Sequence, residues 1–420
     1  LRIVAEVTLK QPEKEKARGF FAWLNSNKEA VGVFAVIVGG LWTFYQYVQG
    51  EKDKVRLQRE AAIVQFYGDL GNKDKRNTAA YGLATLSRER ALPVLVPALK
   101  EAAVSKDDDP SFSRALSESL IGIGPVALEE IKKVNRDAGQ TLSHGPDSGR
   151  IVRATQDVLE YFLRHRGELP SKDFSNLFWG DVDLSSIDAT EVSFEGGNFR
   201  GTNFCDADLT GANLTGASLT NVNLGGANLS RANLTRSAFF DVELEGGNLT
   251  QVTGTDSRFE GNLNRTTFTQ ANLTQARFIG ASLDGAKFSA AELSKADLTA
   301  VKAYKADFSG TNLQGVRLNG ADLEGAKFLG ANLEGTTFFW GADDHPIRPW
   351  EAVSVPVSLV PGNGAFVRGA DFNGAKNVSG DLRRYLCSWG GTNIPGGCAG
   401  VSGVVQANEV ERGMGGGSCW

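Results

Sequence analysis

Three histidines and four cysteines are the side chains best suited by type to metal binding or nucleophilic chemistry, and they are scattered along the chain. His144, His165 and His345 lie outside zinc-ligand spacing of one another and of any cysteine, so no metal site is expected. Asp343-Asp344-His345 sets two carboxylates beside an imidazole. Neighbours in one loop, with no serine or cysteine motif, cannot divide the work of nucleophile, base and orienting group. Cys387 and Cys398, eleven apart in CSWGGTNIPGGC, are either a disulfide over a glycine-rich loop or two free thiols. Cys205 is expected on the surface or at a corner beside Phe204, and Cys419 lies in the tail. Neither a Walker loop nor a dinucleotide fingerprint occurs. These residues predict no catalytic residue, no metal and no cofactor, and hence no enzyme.

The strongest order in the chain is instead a period of five. From Phe174 to Phe259, and one residue early from Leu263 to Phe338, every fifth residue marks a centre; 30 of the 34 centres are Leu or Phe. Trp179, Ala189, Gly254 and Ala303 are the departures. Two residues before many centres stands a small or β-branched side chain, as in Ala207, Ala212, Ala217 and Val222. Neither the 3.6-residue helix nor the two-residue strand puts every fifth residue on one face. A chain that turns a corner every five residues does. Four sides close a square coil of about 20 residues, with the large side chains inside and coils stacked about 4.8 Å apart.

On the pattern A-[ND]-[LF]-x-x, undisguised in ADLTGANLTGASLTNVNLGGANLSRANLT, the chain resembles the pentapeptide-repeat family. The resemblance runs over roughly 174 to 338 and implies a right-handed quadrilateral β-helix, assigned to 171–338, in a mainly β protein. RGADFNGAKN, with Ala370 and Phe372 in motif order, extends it by a fragment. Members of the family include interaction scaffolds and proteins that imitate nucleic acid.

Outer columns follow by adding 20. Arg277, Asp297 and Arg317 share one column, and Lys287, Asp307 and Lys327 another, so ladders of weak exposed ion pairs are expected. Residues 171–260 hold 13 acidic and 5 basic side chains, against 7 and 8 over 261–338. Imitation of a DNA backbone needs close to one charge per 1.7 Å. The acidic stretch, interrupted by Arg200, Arg231, Arg236 and Arg258, falls short of that, so nucleic-acid mimicry is the alternative reading. Hydroxyls after the centres, such as Thr210 and Thr250, are expected to satisfy turn backbone groups.

Ahead of the repeat, 1–29 reads as a juxtamembrane segment and 30–48, AVGVFAVIVGGLWTFYQYV, as a transmembrane helix, being uncharged for 19 residues with aromatics near its end. Residues 49–136 read as paired helices. SRALSESLIGIGPVALEEI resembles HEAT-type repeats of phycobilisome-lyase-like proteins at Leu120, Ile123, Gly124, Ala127 and Ile131, and departs from them at Ser113 and Leu116. That resemblance implies a HEAT-like spacer or docking module and assigns no lyase residue. A polar linker, 137–149, precedes a capping helix at 150–170, since an open β-helix end is an unpaired edge. Beyond the repeat, 339–386 reads as an insertion loop with a last partial coil, and 387–420 as a Gly-rich tail.

Together these features predict a non-catalytic, membrane-anchored scaffold that presents a β-helical surface to a protein partner. The lipid bilayer is met through 30–48, with the large C-terminal part cytoplasmic. The family resemblances are of cyanobacterial type; they imply a plasma or thylakoid membrane and a photosynthetic or other membrane complex as partner. The alternative is a nucleic-acid-mimicking regulator of a DNA topoisomerase; direct nucleic-acid binding is not expected.

Overall fold

The computed structural model describes residues 28–105, 109–142, 145–165, 167, 169, 171–338 and 365–399. The chain divides into two compact units, Leu1–Arg88 and Glu89–Trp420.

In the first unit α1 (Lys28–Asp69) packs on α2 (Arg76–Leu86). Gly82 permits the contact, because a Cβ there would lie 2.4 Å from the Phe66 ring. The Arg59 guanidinium donates to the Leu86 carbonyl at the end of α2. The membrane span expected at 30–48 is corrected. That run is part of the single 42-residue helix α1, which continues into Glu51–Glu60, and among the described residues no helix is long and apolar enough to cross a membrane. Only Ala30–Leu41 is continuously apolar apart from glycine; these 12 residues rise about 18 Å as a helix, well short of a hydrocarbon core of about 30 Å. Trp42, Thr43, Tyr45, Gln46 and Tyr47 fill out the uncharged run without making it apolar. The bilayer contact and the single-pass membrane localisation fall with the span.

The second unit begins with α3 (Arg88–Val104), α4 (Pro110–Ile123), α5 (Pro125–Gln140) and α6 (Pro146–Arg164). Asp109 caps α4 by accepting from the amides of Ser111 (3.0 Å) and Phe112 (3.3 Å), and Pro110 follows it. Gly124, at φ 96°, separates α4 from Pro125 and α5. The HEAT-like module expected over 49–136 is also corrected. The boundary between the two units falls inside that range, and α4, α5 and α6 pack on one another, with α5 and α6 seated on the first strand of the β-helix. The apolar spacing that suggested the module is shared by any pair of packed helices; here it serves a cap rather than a stack of hairpins.

From Phe174 the chain forms the square coil. Residues 20 apart pair in parallel, as in Asn213↔Asn233 and Asp208↔Asn228. At most corners the amide of the inward small residue donates back to the preceding centre, Ala212 to Leu209 at 3.0 Å for example, through a turn whose third residue, Gly211, has φ 66°. The second side of the coil is regular enough to form a five-stranded parallel sheet: β1 (Phe178–Gly180), β2 (Asn198–Arg200), β3 (Ser218–Thr220), β4 (Ala238–Glu243) and β5 (Arg258–Asn262), in that order. The core is solid. Phe239, Phe259 and Phe278 stack at 4.8 Å per step on this side, and Phe268, Phe288, Phe308, Phe328 and Phe372 stack at 4.8–5.2 Å on the fourth. The two columns meet edge to face across the interior at 5.7–5.9 Å.

The missing residue between Phe259 and Leu263 is taken out of the corner between the second and third sides. Val242 of β4 faces Gly261 of β5 across a shifted register, and the pairing then advances by 19 for one turn, as in Asn248↔Thr267. Ala303 is fully buried, and Tyr304 does not fill the space beside it: its ring lies outside, 4.8 Å from the Lys305 Nζ. At the far end Phe366, Asp371 and Lys376 pair with Asp322, Lys327 and Asn332, and Ala370 and Phe372 are buried, so RGADFNGAKN completes a coil. A short helix, α7 (Gly380–Ser388), follows.

Candidate interaction surface

Among the described residues that could do chemistry, only Cys387 and Cys398 meet. His144, Asp343, Asp344, His345 and Cys419 lie outside the described residues. His165 ends α6, its ring stacked on Tyr161 at 4.1 Å and its Nδ1 2.8 Å from the Tyr161 carbonyl. Cys205 is buried on the third side, and Cys387 and Cys398 form a disulfide. Among the described residues no group of three or more His, Cys, Asp or Glu is placed to hold a metal. With its interior filled by apolar side chains, the β-solenoid offers its outer faces.

Both ends of the solenoid are covered. Asn135, on the buried face of α5, accepts from the Phe178 amide (2.7 Å) and donates to the Phe178 carbonyl (3.0 Å), as a neighbouring strand would, and it also donates to Thr155 Oγ1 of α6 (2.9 Å). Arg164 donates to the Asp183 carbonyl at 2.9 Å, and the Lys132 ammonium sits 4.9 Å over the Phe174 ring. Gly139 makes room for the Phe178 ring, which an added Cβ would meet at 1.9 Å. The cover is shared by α5 and α6, and α5 supplies its most specific contact. A signal was present: Asn135 is a polar residue on the same helical stripe as Leu128 and Ile131. Beyond the last coil, Thr392 accepts from the Phe372 amide and donates to the Ala370 carbonyl, and the Tyr385 hydroxyl donates to the Ala365 carbonyl at 2.7 Å.

The lateral faces differ in charge. On the first and fourth sides, an Asn or Asp directly before a centre accepts from the amide two residues on, and Thr hydroxyls after such centres donate to the same oxygens: Thr215 to Asn213 at 2.6 Å, Thr250 to Asn248 at 2.7 Å. The Thr210 and Thr250 hydroxyls thus bond the side-chain oxygens that hold the corner amides, and not the turn backbone groups they were expected to satisfy. Asparagines also bond coil to coil, Asn248 to Asn228 at 3.0 Å and Asn332 to Asn312 at 2.9 Å. In the first predicted charge column Arg317 reaches Asp297 at 2.7 Å. In the second, burial pushes the Asp307 carboxyl up, but hydrogen bonds from the Ser309 side chain and amide and from Ser289, with the Lys327 charge, hold it net below its ordinary value. The second side carries Arg200, Arg258, Arg277 and Arg317 with Phe240 facing outward, the Arg258 guanidinium 4.9 Å over its ring.

The third side is different. Over its first four coils (182–186, 202–206, 222–226 and 242–246) it holds Asp183, Asp206, Glu243 and Glu245 and no Lys or Arg; Asp181 and Asp241 stand on the adjoining corner. Asp183 is held below the usual carboxylate range by the Ser185 hydroxyl and amide, then by Asn203 and the Arg164 charge. Of the basic residues that interrupt this stretch in sequence, Arg200 and Arg258 lie on the second side, Arg231 follows a fourth-side centre and Arg236 a first-side centre. The acidic residues therefore gather on one side and its corner, on the first, second and fourth coils, although Arg residues break the stretch in sequence.

Residues 187–226, 217–253, 262–299 and 304–338 match the family model for pentapeptide repeats. The pentapeptide-repeat match lies wholly within the solenoid, and none of it falls on the helices. Among solved structures, HetL, a pentapeptide repeat protein involved in heterocyst differentiation regulation from the cyanobacterium Nostoc sp., is similar at 24% identity, covering 51% of this chain and 94% of that one, with a TM-score of 0.23. QnrB1, a plasmid-mediated fluoroquinolone resistance protein, is similar at 18% identity over 45% of this chain and 90% of that one, with a TM-score of 0.29. A pentapeptide repeat protein from the Arabidopsis thaliana thylakoid lumen shows 26% identity over 29% of this chain and 72% of that one, with a TM-score of 0.20. No curated protein matches.

Proposed function

We propose that the protein is a non-catalytic interaction module whose pentapeptide-repeat rod binds a protein partner through its lateral faces. The observation that carries this reading is the filled core with a cover at each end: what remains for recognition is a set of flat faces with distinct charge. Photo-crosslinking side chains placed one at a time at Thr220, Asn223, Ser230 and Thr235 sample the four sides of the third and fourth coils. One discrete cross-linked partner from one side alone supports the reading. Equal labelling from all four sides, or from none, counts against it.

A second reading, a regulator that imitates the DNA backbone for a topoisomerase, is favoured by the acidic third side. Six carboxylates, at Asp181, Asp183, Asp206, Asp241, Glu243 and Glu245, span four coils, or about 14 Å, where duplex DNA places about eight phosphates. The test is DNA supercoiling by a type II topoisomerase with the protein added. Inhibition that Asp206→Lys with Glu243→Lys removes, while Arg200→Glu leaves it intact, supports mimicry; no inhibition by the unsubstituted protein rejects it.

A further inference from the structure

The last coil is closed by a segment that a disulfide holds in place. Gly390 accepts from the Gly369 amide at 2.8 Å. Thr392 accepts from the Phe372 amide at 3.0 Å, donates its own amide to Ala370 at 2.7 Å, and adds its hydroxyl to the same carbonyl at 3.0 Å. Asn393 donates to Asp371 Oδ1 at 2.9 Å. Gly391 lies against the Phe372 ring and Ile394 is buried. Residues 390–394 thus act as the strand that ends the fourth side of the solenoid, where Phe372 is the last ring of a continuous stack. They belong to no longer element of their own. Their tether is Cys387–Cys398, which ties the far end of the segment back to α7 across eleven residues. Cys387 is buried, whereas Cys398 is half-exposed in a glycine-rich turn, so an incoming thiolate has access to one sulfur of the pair.

We infer that this disulfide is a redox latch on the C-terminal edge of the β-solenoid, the substrate of a dithiol reductant, and that its reduction releases residues 390–398 from the last coil. One thiolate of the dithiol attacks Cys398 Sγ; a new S–S bond forms, the Cys387–Cys398 bond breaks, and the electron pair leaves on Cys387 Sγ, which takes up a proton. The second thiol of the reductant loses its proton and attacks the mixed disulfide. Cys398 leaves as a thiolate and is protonated, and the reductant becomes a disulfide, two electrons having passed to the cystine. The loop then loses the constraint that limits its open states, while only a few hydrogen bonds and the Ile394 contact hold it to the coil. The Phe372 ring and the backbone groups of Gly369, Ala370 and Phe372 become an unpaired edge. The N-terminal edge, covered by Asn135 and Arg164 without any cysteine, stays closed under the same conditions.

The test uses the full chain with and without dithiothreitol, the state of Cys387 and Cys398 being read by alkylation and mass spectrometry. Amide hydrogen exchange at Gly369, Phe372 and Thr392 is expected to accelerate tenfold or more on reduction, with Leu214, Leu229 and Phe178 unchanged. The double variant Cys387→Ser, Cys398→Ser is expected to show the fast pattern with no further response to the reductant, which separates this disulfide from the other cysteines. Unchanged exchange at Phe372 and Thr392 in protein whose Cys387 and Cys398 are verified as reduced overturns the inference. So does acceleration spread evenly over all coils, which makes the bond a global staple. If the double variant does not fold, the reduced unsubstituted protein decides alone.

Discussion

At Gly261 the solenoid omits a corner residue, and the glycine is what makes the omission possible. Its φ of 121° is outside the range of ordinary side chains, and a Cβ would lie 2.3 Å from the Val242 carbonyl oxygen, a backbone atom that cannot swing aside. Gly211, an ordinary corner at φ 66°, has nothing closer to an added Cβ than Glu191 at 3.6 Å. Gly261→Ala is therefore expected to destabilise the protein by about 2–4 kcal/mol and Gly211→Ala by about 1 kcal/mol, measured by denaturant unfolding. Equal losses would remove the steric argument. The carboxylates before the centres answer to pH instead. Asp183, held low chiefly by the Ser185 hydroxyl and amide, contributes stability that is present above its unfolded pKa, about 3.9, and is lost as pH falls through the lower folded value. Asp183→Asn keeps the acceptor that the Ser185 amide uses, as Asn203 does for Cys205 on the next coil. The variant should lose less melting temperature than the unsubstituted protein between about pH 4 and pH 2, with little change at pH 7.

The elements at the ends show where sequence reading stops. A square coil is legible because each side repeats the same local demand: a large side chain inward, a small one beside it and a turn after five residues. Aromatic stacks at 4.8 Å follow from that period alone. The cap does not repeat. Asn135 and Phe178 meet across 43 residues; a polar Asn135 on the apolar stripe of α5 signals a buried partner but does not say that the partner is a strand. Asn135→Ala would leave the Phe178 amide and carbonyl buried and unpaired, at a cost of about 2–4 kcal/mol. Hydrogen exchange at Phe178 should accelerate while Leu234 keeps its protection; a uniform change would mean that the cap and the rod do not open separately. The two misread elements failed for a related reason. Counting uncharged residues over 30–48 treated Gly, Thr, Gln and Tyr as though they were apolar, and the leucine cadence of α4 and α5 is common to helices that pack on anything. The third face was hidden differently, since its carboxylates share a side only when residues are placed by adding 20, and 19 across Gly261.

For the whole molecule, the period sets what length changes the rod can absorb. Each coil contacts mainly its two neighbours, so stability is close to a sum of coil and interface terms. Deleting 272–291 joins Ala271 to Glu292, which stand in successive positions of the same side, and Thr253 then pairs with Glu292 where it had paired with Asn272. Every later residue keeps its side and its inward or outward sense, and both covers stay attached. The product should fold with unchanged far-ultraviolet circular dichroism per residue and a rod shorter by about 4.8 Å. Deleting 272–289 removes two residues fewer and joins Ala271 to Ala290, a corner residue with φ 57°. Leu293, Leu298 and Phe308 then stand two places out of register, so that large apolar groups face water and polar ones face the core; that chain should aggregate or fail to fold. If the shorter deletion folds as well as the longer, the coil tolerates changes of register, and faces distinguished by charge could not be kept from one coil to the next. If neither folds, the coils do not behave as interchangeable units. Folding of the 20-residue deletion alone also permits a functional measurement, because its third side and the adjoining corner keep all six carboxylates of the first four coils, and binding through that face should survive the loss of a coil beyond it.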